Sequence, residues 1–182
     1  MLSRSNWLIL GLAVLAAAVG GYVEHHNRQP APSDLADSAL IGQPLPTLSL
    51  PDLDGKLHAL SDYRGRRVLL NFWASWCGPC LDEMPALARA QAKFGEHAPI
   101  VIGIAMDEPT HVRAFLTAHP VNYPILLGRL DSPSTSLQLG DARQILPYSV
   151  LIDANGHLLA AHAGALSTQQ LEQWLAPTHD TP

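Results

Sequence analysis

The sequence is poor in several features that announce a function. It has two cysteines in 182 residues. One disulfide at most can form, which excludes a disulfide-stapled scaffold. Lys and Arg number 11 against 16 Asp and Glu, giving a net charge of −5. No long basic run is present. Phosphate binding needs clustered cations, so no nucleic-acid partner is expected. No internal repeat or low-complexity tract appears. No second C-x-x-C and no H-x3-H complete a four-ligand zinc site, and no metal is expected. With 47% hydrophobic residues, the chain is instead suited to one packed domain with appendages.

The N-terminus carries the longest apolar run. About 19 uncharged residues separate Arg4 from Glu24, just reaching the roughly 17–25 needed to span hydrocarbon as a helix. The run is apolar all round, unlike a core helix. Residues 1–23 therefore read as a membrane anchor, or as a signal peptide cut after Ala18 at the small-x-small site Ala16-Ala17-Ala18. The run continues through Tyr22 and Val23, which favours the anchor. Either reading exports the rest of the chain. Residues 24–42 are polar with two prolines and read as a linker, His25-His26 included.

Beyond it, "TLSLPDLDGKLHALSDYRG" reads as two short strands around Asp52–Gly55, then a helical turn capped at Ser61. "RVLLNFW" (67–73) and "IVIGIAMD" (100–107) are near-continuous apolar runs, as in central strands covered on both faces. Leu81, Met84, Leu87, Ala88, Gln91 and Phe94 recur at helical spacing, with Pro85 inside the pattern. "THVRAFLTAHP" reads as a helix and "YPILL" as a short strand. Residues 128–146 read as loop with one helical turn near 134–139. "YSVLIDANGHLLAAH" is a hairpin around Asp153–Gly156. "STQQLEQWLA" is a closing helix with Ser167 as its cap, and residues 177–182 are a tail. This order predicts an α/β sandwich with a mixed central sheet flanked by helices.

Both cysteines lie in "FWASWCGPC". A strand ends before Cys77 and a helix begins after it. Helical N–H groups and the macrodipole then point at the Cys77 sulfur and favour thiolate, below the free value of about 8.5. Cys80 lies nearly one turn on, placed to resolve a mixed disulfide formed at Cys77. A structural disulfide across two residues would constrain the unfolded chain little. Pro79 suits the first helical turn, where a missing N–H costs little.

"NFWASWCGPC" resembles the active-site strand and helix of the thioredoxin superfamily. "LDEMP" after Cys80, "LPYSVLIDANG", the front hairpin and an insert near 98–122 are similar to the TlpA/ResA/DsbE branch. The resemblance covers about 43–176. It implies a thioredoxin fold with an N-terminal β-hairpin and a central insert. It also implies a membrane-tethered, periplasm-facing thiol–disulfide oxidoreductase that reduces protein disulfides, in cytochrome c maturation or in metalloprotein cysteines. The partners implied are disulfide-bearing protein substrates and a transmembrane electron donor, with no soluble cofactor. Pro147 becomes the cis-proline candidate, and Leu146 sits against the sulfurs to dock substrate. Trp76 either shields Cys77 or is a half-buried core aromatic, and Trp73 is core. Thioredoxins bury an aspartate six residues before the nucleophile. Here that residue is Asn71, which cannot take a proton. Glu83, three residues past Cys80, is the alternative proton acceptor, unless it only favours the helix electrostatically. Two rival functions stay open: a DsbA-like oxidant and a periplasmic copper chaperone.

Overall fold

The computed structural model describes residues 40–94 and 99–176. The expected leader at 1–23, the linker up to residue 39 and the tail at 177–182 lie outside the described residues. Residues 40–42 pack on the domain, with Leu40 against the core and the Gly42 amide donating to Leu158 O at 2.7 Å.

The described chain opens with β1 (Ser49–Pro51) and β2 (Leu57–Ala59), paired antiparallel. Asp52 builds the turn between them. Its Oδ1 accepts from the Asp54 and Lys56 amides, while Gly55 supplies the φ of 82° that a side chain would resist. A 3-10 turn covers Leu60–Tyr63. Because it starts before Ser61, that residue is not its cap. Asp62 closes it instead, accepting from the Ala59 amide at 3.1 Å.

The main sheet follows. Its strands are β3 (Val68–Trp73), β4 (Ile100–Ala105), β5 (Ile125–Leu127), β6 (Tyr148–Ile152) and β7 (Leu158–Ala163), in the order β5-β4-β3-β6-β7. β3, β4 and β5 run parallel, and β6 and β7 each run antiparallel to the neighbour before them. The helices are α1 (Gly78–Phe94), α2 (Pro109–Ala118), the single turn α3 (Thr135–Gln138) and α4 (Thr168–Leu175). α1 continues through Pro85 as one helix. Ser167 and Gln170 cap α4 reciprocally, as a Ser three residues before a Gln predicts.

All six residues of the central strand β3 are buried, and they alternate between two cores. Val68, Leu70 and Phe72 face Ile102, Ile104, Tyr148 and Val150, under Leu48, Leu50 and Leu139. Leu69 faces Leu87 of α1 and Leu171 and Leu175 of α4. Trp73, on that same face, packs with Met84 of α1, Val112 of α2 and both cysteines. The longer helices therefore share one face of the sheet. The front segment, the 3-10 turn and α3 close the other. β4 stops at Ala105, two residues short of the expected run: the Met106 amide makes a last bond to Trp73 O, and Asp107 then turns toward the loop after β3.

Candidate active site

β3 ends at Trp73, and Ala74–Trp76 turn the chain into α1. The Cys77 amide donates to Ala74 O at 3.1 Å, closing that turn. Cys77 and Cys80 are bonded to each other, with S–S 2.06 Å. The Cys80 amide donates to Cys77 Sγ at 3.3 Å, so a helix-start N–H is aimed at the first sulfur. Cys80 is fully enclosed, and Cys77 keeps 5% exposure.

Asp107 holds the turn from below. Its carboxylate accepts from the Ser75 amide at 3.0 Å and from the Ser75 hydroxyl. It also accepts from the Glu108 amide at 2.7 Å and meets His111 Nδ1 at 3.3 Å. Burial alone pushes this carboxyl up. The Ser75, Glu108 and His111 contacts outweigh it, and Asp107 titrates below the ordinary aspartate range.

Opposite the cysteines, the Leu146–Pro147 bond is cis, and Leu146 packs in the same apolar cluster as both sulfurs. A second cis bond, Ser132–Pro133, was not expected from the sequence. Asp141 shapes the approach to Leu146. Its Oδ1 accepts from the Ile145 amide at 3.0 Å, and burial raises its carboxyl above the usual range. Trp76 is 70% exposed beside Cys77, which overturns the core-aromatic reading. The turn points it outward, while Trp73 fills the core position.

Glu83 lies on α1 one turn past Cys80, and its carboxylate is buried between helix and sheet. Oε2 accepts from Asn71 Nδ2 at 2.9 Å, and Oε1 from the Leu166 amide at 2.6 Å. Asn71 Nδ2 also donates to Ser149 Oγ of β6 at 3.1 Å. Burial raises the Glu83 carboxyl above its ordinary value, and the Leu166 and Asn71 bonds offset only part of that. Asn71 is thus the donor that fixes the neighbouring acid.

The structure gathers Cys77, Cys80, Glu83, Leu146 and Pro147 at one end of the sheet, with Trp76 on its rim. Sequence reasoning missed Asp107, Ser75, Asp141 and the Leu166 amide. Only Asp107 left a signal, an acid ending a buried apolar run.

The AhpC/TSA family model matches residues 41–161. The chain belongs to the AhpC/TSA family. Its relatives include the thiol-disulfide oxidoreductase ResA of Geobacillus kaustophilus, 32% identical over 90% of each chain. The thioredoxin-like protein YneN of Bacillus subtilis is 31% identical, over 74% of this chain and 78% of its own. Among solved structures, a protein of Chlorobium tepidum described as a thiol:disulfide interchange protein DsbE superposes with TM-score 0.64. It is 31% identical and covers 74% of this chain and 94% of its own. This AhpC/TSA member has a thioredoxin-like fold and is a thiol–disulfide oxidoreductase of the ResA and DsbE type.

Proposed function

We propose that this oxidoreductase is tethered outside the cytoplasm by residues 1–23 and reduces disulfides of exported proteins. The alignment of the Cys80 amide on Cys77 Sγ marks Cys77 as the nucleophile, and the likeness to ResA and DsbE supports the reducing direction. Once the pair is reduced, that N–H and the α1 dipole favour a Cys77 thiolate. The thiolate attacks one sulfur of a substrate disulfide, and the other substrate sulfur leaves. Cys80 then gives its proton to Glu83 and attacks Cys77 Sγ. The second substrate sulfur leaves as thiolate and is protonated. Two electrons pass to the substrate, and Cys77–Cys80 becomes the disulfide seen here.

Trp76, Leu146 and Pro147 form the docking rim, where an extended substrate segment pairs by its main chain. Exported cysteines of cytochromes c or metalloproteins fit this role. Export also requires a transmembrane electron donor, since thiols outside the cytoplasm lack a reducing pool.

The reduction potential of the pair tests the direction. A value near about −270 mV is expected, and one near about −120 mV makes the protein an oxidant. Intact mass of the membrane fraction tests the tether. A mature chain starting at Val19 in the soluble periplasm would remove the anchor.

A further inference from the structure

Asn71 Oδ1, Trp73 Nε1 and Tyr123 Oη are buried with no hydrogen-bond partner among the described residues. Their residues are 1%, 0% and 6% exposed, and leaving such groups dry costs free energy. They converge on one face of the sheet. Asn71 and Trp73 are two apart on β3, and Gly103 of β4 pairs with Asn71. A Cβ on Gly103 would stand 3.1 Å from Trp73 Nε1 and 3.2 Å from Tyr123 Cε2. The glycine lets the indole N–H and the phenol ring close down beside Asn71. The same Asn71 holds Glu83 Oε2 at 2.9 Å. Burial, and then the nearby Glu83 charge, push the Tyr123 phenol well above its ordinary range.

The three atoms are complementary to water. The indole only donates, the amide oxygen only accepts, and the phenol does both. Buried water typically makes about three such bonds.

We propose that Asn71, Trp73 and Tyr123 line a buried water-binding site beside Glu83, and that the water held there sets the pH at which Glu83 takes and returns the Cys80 proton. The second half rests on the role proposed for Glu83. Tyr123 is a positioning residue in this scheme. Asn71, braced by Ser149, and the Leu166 amide hold Glu83 from the sheet and from the segment before α4, and none of the three titrates. The other titratable groups to consider are the thiols of α1 and His162 of β7. His162 lies across from Ser149 and meets Gln170 Nε2 at 3.4 Å.

Tyr123→Phe tests the site. The protonated Glu83 carboxyl has an infrared C=O band, assigned by its loss in Glu83→Gln. With the water anchored by Tyr123, Tyr123→Phe shifts that band to higher frequency. It also moves the pH midpoint of the band upward, by roughly half a unit or more. Thermal unfolding falls to a lower midpoint. A band unmoved in both frequency and pH overturns the site, whatever the thermal midpoint does. If the band moves but Glu83→Gln leaves the pH–rate profile of disulfide reduction unchanged, the water site stands and the role proposed for Glu83 toward Cys80 falls.

Discussion

Asn71 Nδ2 and Glu83 Oε2 meet at 2.9 Å, joining the central strand to the active-site helix inside the core. A thioredoxin-like aspartate at residue 71 would carry the acid on the strand. Here the acid has moved to the helix, and the strand supplies the amide that fixes it.

Glu83→Gln removes the charge and the proton acceptor at nearly constant size. The folded carboxyl titrates above the ordinary 4.5. The stability it contributes is therefore fully present below 4.5 and lost as pH rises through the folded value. The variant should lack this decline, read by urea unfolding across pH. Its pH–rate profile for disulfide reduction should lose a step. An unchanged profile would make Glu83 a structural residue only.

Asp107→Asn loosens the turn that presents Trp76 and Cys77. The Asp107 carboxyl titrates below 3.8, so its contribution is present above 3.8 and lost as pH falls through the folded value. The variant should flatten the acid limb of stability. It should cost about 1–2 kcal/mol at neutral pH, because a charged acceptor of several bonds becomes a neutral one. The reduction potential of the pair should shift too, since the Ser75 anchor lies two residues from Cys77.

Gly103→Ala puts a methyl against Ile125 Cδ1 at 2.6 Å, with Trp73 and Tyr123 close behind. The Ile125 tip can yield, but the two buried rings have little room. About 1–3 kcal/mol of destabilisation is expected by chemical denaturation. A neutral result would mean that the rings repack without strain.

Trp76→Ala strips an exposed ring. Stability should stay within about 0.5 kcal/mol of the parent. Substrate docking should weaken, with KM for a protein disulfide rising roughly fivefold, about 1 kcal/mol. A large loss of stability with KM unchanged would return Trp76 to a packing role.

The sheet and the longer helices were legible because apolar period and turn chemistry agree along most of the chain. The runs at 68–73 and 101–105 are buried as continuous apolar strands should be, and Ser167 caps α4 as its spacing to Gln170 suggests. The cysteine pair was legible because its chemistry is local. The partners of Glu83 were not. Leu166 donates a backbone amide from 83 residues away, and a main-chain donor leaves no mark on side-chain pattern. The role of Asn71 was read only as a missing acid. Its gain as a donor depends on how closely α1 approaches β3, which no local rule fixes. Ser61 failed as a cap because a shift of one or two residues at a short turn moves the capping position.

The front segment does more than cover a core. At one end, Gly42 and Gln43 bond Leu158 of β7, and at the other Asp52 bridges to Leu126 of β5. These are the outermost strands of the sheet, the places where an unpaired backbone invites another chain. A single cut between Pro46 and Leu50 would loosen both rims together. The strap that leads into the domain is thus also its guard against self-association, and nicked protein should be lost first to aggregates, with its Cys77–Cys80 pair still intact.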